Sequence, residues 1–309
     1  MTHLELFHGL VAAGMRMRYG DKPFRKAVLR VLWEKKHIID AGFVDYYLMA
    51  FWTFIHYADS MGIGFWARGA VPSSIVCYCL RLTEVDPLKY GLHAARFVND
   101  ELPQFQFDIE ASRFDEFKKG AEEMLQANAG DFDIPTIKAC LLKEDVKLGE
   151  KMRRMYLTPC EYLSRKHERP LPEDIDDELT RYALRFPQTM DLYDYYIRRK
   201  TDGLWTRRGP RLDEILAPTL GILVYQEQML EILRQFFHVS GIEANQIRRS
   251  IQIGEENQVK MYKRKLFANL QGLTDKKAER VWQILTSNPN AFLKAHAVSR
   301  VLAKYHYDF

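Results

Sequence analysis

No stretch of the sequence is long and apolar enough to span a bilayer, which excludes a single-helix membrane span. The nearest approach, Val44 to Ala58, is too short and carries Asp45 and His56. The start, Met1-Thr2-His3-Leu4-Glu5, lacks the basic residues and apolar run of a secretory signal. The expected location is therefore the cytoplasm, with no membrane partner. Cysteine is scarce: Cys77, Cys79, Cys140 and Cys160 are all there are, and no second Cys or His pair stands at zinc spacing. They read as reduced residues packed in helices. The nine histidines are scattered singly, without an H-x-H or H-E-x-x-H pattern. There is no internal repeat and no low-complexity segment.

What remains is an ordinary globular composition. The 309 residues, 47% hydrophobic and 28% charged, suffice for one large domain or two closely packed ones. The net charge of +4 is unevenly spread. Residues 196–309 carry 19 Lys/Arg against 11 Asp/Glu, and residues 1–195 carry 26 against 30. A basic C-terminal third suits a polyanionic partner, although a solvated helical surface gives the same count.

Residues 24–62 read as two helices. The second, Phe43 to Ser60, is expected to put Tyr47, Leu48, Phe51, Trp52 and Ile55 on one face. A loop from Gly62 to Ser73 follows, and Ser73 or Ser74 can cap the next helix. Residues 103–110 alternate, with Phe105, Phe107 and Ile109 on one side and Gln104, Gln106, Asp108 and Glu110 on the other, the period of a half-buried strand. A second, shorter alternation, Asp131-Phe132-Asp133-Ile134, is expected to be its neighbour. Later segments are helical, with Met229, Leu230, Leu233 and Phe237 on one face and Ala278, Val281, Trp282 and Leu285 on another. The expected fold class is α+β: a small palm-type sheet with helices over residues 1–165, and a mainly helical lobe over 166–309. The break is placed in Arg165 to Asp174, where Arg169-Pro170-Leu171-Pro172 interrupts a charged stretch.

Asp108 and Glu110 stand two apart on one strand face, roughly 7 Å between Cα atoms, which suits carboxylates that flank divalent cations. Asp133 would complete a cluster of three. Such a cluster can hold two Mg²⁺ ions for nucleotidyl transfer. A D-x-E on an alternating strand is more often a plain solvent face. The turn into the helix after Ser73 and Ser74 offers N–H groups and hydroxyls to a triphosphate, with Arg68 adding fixed charge; a capped helix with nothing bound reads the same way.

Several strings weigh these signals. Gly42-Phe43-Val44-Asp45-Tyr46-Tyr47-Leu48 resembles the G-F-x-x-Y-F-L of the bacterial DNA polymerase III alpha subunit, the C family of replicative polymerases. Arg68-Gly69-Ala70-Val71-Pro72-Ser73-Ser74-Ile75-Val76 resembles its R-G-S-A-A-G-S-L-V. Tyr196-Ile197-Arg198-Arg199-Lys200 is similar to Y-I-R-R-K, and Thr219 through Gln228 is similar to T-Y-G-V-I-V-Y-Q-E-Q almost position by position. Ile247-Arg248-Arg249-Ser250 resembles L-R-R-A, and Phe292-Leu293-Lys294-Ala295-His296-Ala297 resembles F-N-K-S-H-A. The order is that of the family, over most of the chain.

The resemblance implies a palm and fingers that act on primer–template DNA and deoxynucleoside triphosphates with Mg²⁺, which Mn²⁺ can replace. It implies catalytic and metal roles for Asp108, Glu110 and Asp133. Nucleotide contacts would come from Arg68, Ser73, Ser74, Arg248, Arg249, Lys294 and His296, and DNA contacts from Arg198, Arg199 and Lys200. The departures matter equally. The family's P-D-F-D-I-D becomes Pro103 to Glu110; aligned on F-D-I, the first catalytic aspartate is Gln106 and the second Asp108, whereas aligned on Pro103 both are glutamine, at Gln104 and Gln106. The longer match favours the first alignment. No thumb, PHP or clamp-binding part is expected, so other replication proteins would supply them. Two functions follow: a minimal DNA-templated nucleotidyltransferase with an altered carboxylate set, or a degenerate palm–fingers module that grips primer–template DNA or a replication partner without catalysis.

Overall fold

Alternation decides the centre of the first unit. Phe105, Phe107 and Ile109 are fully buried on one face of strand β2 (Phe105–Glu110). In the computed structural model, residues 2–127, 155–160, 163, 171, 173–268, 270 and 272–307 are described. Strand β2 is the middle of a three-stranded sheet. β1 (Phe65–Ala67) pairs antiparallel on one edge, Trp66 opposite Asp108, and β3 (Met155–Cys160) pairs parallel on the other, Thr158 opposite Asp108. The expected neighbour, residues 131–134, lies outside the described residues, and both edges of β2 are taken by other segments. A strand has only two edges for backbone hydrogen bonds.

Among the described residues, helices α1 (His3–Tyr19), α2 (Arg25–Asp40), α3 (Val44–Phe51), α4 (Ile75–Cys79) and α5 (Phe114–Ala127) belong to this unit. Thr2 and Glu5 form a capping box that fixes the start of α1. The helix expected over 43–60 changes character midway. α3 passes into a π-helical turn, Trp52–Ala58. The wider turn re-phases the side chains: Thr53, Phe54 and Ala58 go inward, whereas Phe51, Trp52 and Ile55, expected on the buried face, are only half-buried. The result is functional for the sheet, because the Phe54 ring stacks on Phe107 of β2 at 3.8 Å and lies 5.6 Å from Phe117 of α5.

The chain divides into two compact units, residues 1–171 with 298–309, and residues 172–297. The C-terminal residues, assigned to the helical lobe on sequence grounds, belong to the sheet unit. Trp66 of β1 explains this: its indole N–H donates to the carbonyl and hydroxyl of Ser299, both at 2.9 Å, and the ring packs among Leu163, Ala303 and Tyr307. Ser299 in turn donates to the Ala67 carbonyl.

The second unit contains α6 (Ile175–Ala183), α7 (Tyr193–Asp202), α8 (Pro210–Leu216), α9 (Gln226–Phe237), α10 (Gly241–Ile253), α11 (Glu256–Phe267) and α12 (Asp275–Ser287), with the first turn of α13 (Lys294–His306). The expected apolar faces of α9 and α12 are buried as read. The fold is α+β, a small sheet unit with helices and a helical lobe. Among the described residues no single helix is long and apolar enough to cross a membrane.

Candidate active site

Period 2 places Gln106, Asp108 and Glu110 on one face of β2, and the structure gives the three different environments. Asp108 is 2% exposed. Its Oδ1 lies 3.1 Å from Arg68 Nε and its Oδ2 lies 2.6 Å from Arg300 Nη1. Neither approach has hydrogen-bond alignment, so both buried carboxylate oxygens are ion-paired without an aligned donor. Burial pushes the Asp108 carboxyl above its ordinary value, and Arg300 and then Arg68 offset that only in part. Gln106 turns to the loop: its Oε1 lies 3.5 Å from Arg68 Nη1, and its backbone carbonyl accepts from Arg68 N–H at 2.8 Å. Gly69, at φ +63°, admits that amide, since a Cβ there would stand 2.4 Å from Gln106 Oε1. Glu110 is occupied locally, accepting from Gly64 N–H at 3.2 Å and Ser112 Oγ at 2.7 Å.

Among the described residues the donor set does not make a two-metal centre. β3 contributes Tyr156 opposite Gln106 and Thr158 opposite Asp108, and no residue from Met155 to Cys160 is acidic. Asp133 lies outside the described residues. Among the described residues no three His, Cys, Asp or Glu side chains come together as a metal site. A cation on Asp108 would sit within about 5 Å of both guanidiniums, where each opposes a divalent ion by about 7 kcal/mol at an effective dielectric near 20. Together they outweigh the attraction of one carboxylate, about 11 kcal/mol at about 3 Å on the same scale.

The loop before α4 is built inward. Ser73 and Ser74 are fully buried. Ser74 Oγ caps Cys77 N–H at 3.1 Å and donates to Glu34 Oε2 at 2.7 Å. The same Glu34 carboxylate accepts from the N–H groups of Ile75 and Val76 and pairs with Arg30 Nε at 2.6 Å. Those N–H groups, expected for a triphosphate, therefore serve the fold. Cys77 and Cys79 are buried in α4, and Cys160 ends β3.

The remaining sequence candidates lie in the helical unit. Arg248 is buried against Asn245 and Gln252, with Nη1 at 2.6 Å from Gln252 Oε1, and Arg249 is half-buried. The Lys294 ammonium lies 5.8 Å from the Tyr225 ring centre, and His296 packs between Tyr182 and Phe292. Arg198 is exposed, Arg199 is buried with hydrogen bonds to Leu220 O and Tyr195 Oη, and Lys200 pairs with Asp174 and Asp177. The string Thr219 to Gln228 is explained by wiring. Gln228 accepts from Val224 and Tyr225 N–H and donates to Thr219 Oγ1, while Glu227 accepts from the N–H groups of Lys294 and Ala295. Sequence reasoning missed Arg300, Glu34 and Trp66. Arg300 stands one helical turn beyond His296, and only that spacing pointed to it.

A sheet unit with Asp108 and Glu110 on its central strand is thus followed in the chain by a helical lobe carrying the Y-Q-E-Q wiring. The model of the bacterial DNA polymerase III alpha NTPase domain matches residues 5–139, and that of the alpha-subunit finger domain matches residues 165–273. The chain is a relative of the bacterial DNA polymerase III alpha subunit. It is 33% identical over 119 residues to an error-prone DNA polymerase of Anaeromyxobacter sp. (strain K), covering 38% of this chain and 10% of that one. It is 37% identical over 118 residues to the error-prone DNA polymerase of Cutibacterium acnes, covering 37% and 10%. It is 38% identical over 109 residues to the DNA polymerase III subunit alpha of Borreliella burgdorferi, covering 34% and 9%. The matched segments span about a tenth of these relatives' length.

Proposed function

We propose that this chain is a polymerase III alpha-like body that binds primer–template DNA and does not itself transfer nucleotides. The observation that carries the reading is the Asp108 carboxylate held between Arg68 and Arg300, with Gln106 where the preferred alignment expects the partner acid. The arginines stand where metal charge would be needed, and the neighbouring strand brings no acid. The finger-domain match and the basic C-terminal third support the DNA-binding half of the reading. Further replication proteins would supply catalysis and the parts of the longer relatives that this chain does not match.

A second reading keeps nucleotidyl transfer, with Mg²⁺ or Mn²⁺ held by Asp108, Glu110 and Asp133 and deoxynucleoside triphosphates as substrates. Its support is that neither Asp108 oxygen has an aligned donor. Primer extension on the purified chain, with Mg²⁺ and separately with Mn²⁺, decides between them. No incorporation is expected in either metal, and none from Gln106→Asp alone, because Arg300 still neutralises Asp108. Incorporation by the unmodified chain that Asp108→Asn abolishes would overturn the proposal.

A further inference from the structure

The helical unit contains a cavity of about 1090 Å³ that no sequence motif pointed to. It is formed by α7, the segment 206–212, residues 221–223, the end of α9 and α12. Six cations line it, Arg199, Arg207, Arg208, Arg211, Lys277 and Arg280, and no lining residue is Asp or Glu. Arg207, Arg208, Arg211, Lys277 and Arg280 are exposed. The segment 203–213, with Arg207, Arg208 and Arg211, lies between the strings Tyr196–Lys200 and Thr219–Gln228 and within the stretch matched by the finger-domain model.

Several contacts fix the shape of this cavity before anything binds. Asp213 is spent on the backbone, accepting from Arg208 N–H at 2.8 Å and Gly209 N–H at 3.2 Å. Arg208 Nη1 donates to Gly221 O at 2.7 Å. Gly221, at φ +78°, lets the Trp205 ring lie on its Cα; a Cβ there would meet the ring at 2.3 Å. The Arg207 guanidinium stacks on Trp205 at 4.0 Å, and that of Arg199 on Tyr195 at 4.1 Å. Tyr195 remains 46% exposed, and Phe236 also lines the wall.

We infer that this cavity is a groove for a single-stranded nucleic acid segment. A cationic track without carboxylates recognises phosphodiesters, and the exposed Tyr195 ring beside it, with the half-buried Phe236, offers a stacking face that only unpaired bases can use. The inference rests on the DNA-binding half of the proposed function and gives it a location.

The test uses the full chain and a fluorescently labelled oligodeoxythymidylate of about 12 nucleotides, within the usual site sizes for single-strand binding. Anisotropy titrations are run across a salt series. The variant Arg207→Gln/Arg211→Gln/Lys277→Gln/Arg280→Gln alters exposed side chains, and an unchanged melting curve shows that it folds. It is expected to bind at least about tenfold more weakly, with the log–log salt slope reduced by up to about 3, since each phosphate contact on a single strand contributes about 0.7. Excess deoxynucleoside triphosphate or pyrophosphate is expected to compete poorly; displacement at stoichiometric amounts would mean a free nucleotide site and overturn the inference. Unchanged affinity and slope in the variant would overturn it alone. A chain that binds no oligonucleotide would overturn it together with the binding half of the proposed function, whereas nucleotide incorporation would overturn only the catalytic half.

Discussion

Replacing Arg300 by Met keeps most of the side-chain stem and removes the guanidinium 2.6 Å from Asp108. Breaking a fully buried ion pair by deleting one partner costs about 3–5 kcal/mol, because the other charge is left uncompensated. Here Arg68 remains at 3.1 Å, and the arginine side chains are 22% and 29% exposed, so solvent and the second cation soften the loss. The expected destabilisation is about 1.5–3 kcal/mol. Its pH dependence is the sharper test. Burial already raises the folded Asp108 carboxyl above its ordinary value, so the native state holds more protons than the unfolded state in that window. Stability contributed there falls as pH rises through the folded value. Removing Arg300 moves that value higher still, so the deficit against the parent should be full at about pH 8 and smaller at about pH 5. Urea denaturation at both values measures it, and Asp108→Asn in the same background should recover much of the loss at about pH 8. Equal deficits at both pH values, or no recovery with Asn, would refute the account of Asp108 as a buried charge held by arginines.

Glu34→Gln should destabilise the chain by about 3 kcal/mol in denaturant melts, since the buried carboxylate serves Ser74, Ile75, Val76 and Arg30 at once. Gly221→Ala should cost about 1–3 kcal/mol and shift the tryptophan emission, because the new Cβ meets the Trp205 ring on a left-handed backbone. Asp177 is pushed up by burial but held below its ordinary value by Lys200, Arg181 and Tyr196 together. Its stabilisation is present above the ordinary value of 3.8 and is lost as pH falls through the depressed one, so the difference between parent and Asp177→Asn should be largest near neutrality and fade in acid. Glu227→Ala should destabilise by about 1–3 kcal/mol, with loss of far-ultraviolet helix signal, by releasing the N–H groups of Lys294 and Ala295.

What the sequence made legible was local in origin. The alternation of Phe105, Phe107 and Ile109 and the apolar faces of α9 and α12 declare themselves within a dozen residues. The partner of β2 did not. Parallel pairing joins segments far apart, and Pro159 within Met155 to Cys160 argues against a strand there. The π-helical turn at Trp52 to Ala58 was hidden because its composition stays helical while its phase changes. The acidic face of β2 was found, but its meaning changed when Arg300 arrived from a distant helix. Charge pairs of that kind follow from tertiary structure, since nothing in the local pattern of either residue names the other.

The pairing of Asp108 with Arg300 also sets a clock. A ribosome adds about 5–20 residues per second, so roughly 10–40 seconds separate the synthesis of the aspartate from that of its closer arginine. Throughout that interval the strand can be buried only with its acid protonated or half-compensated by Arg68. The nascent sheet should therefore open readily to protease until α13 emerges and Arg300 reaches the strand.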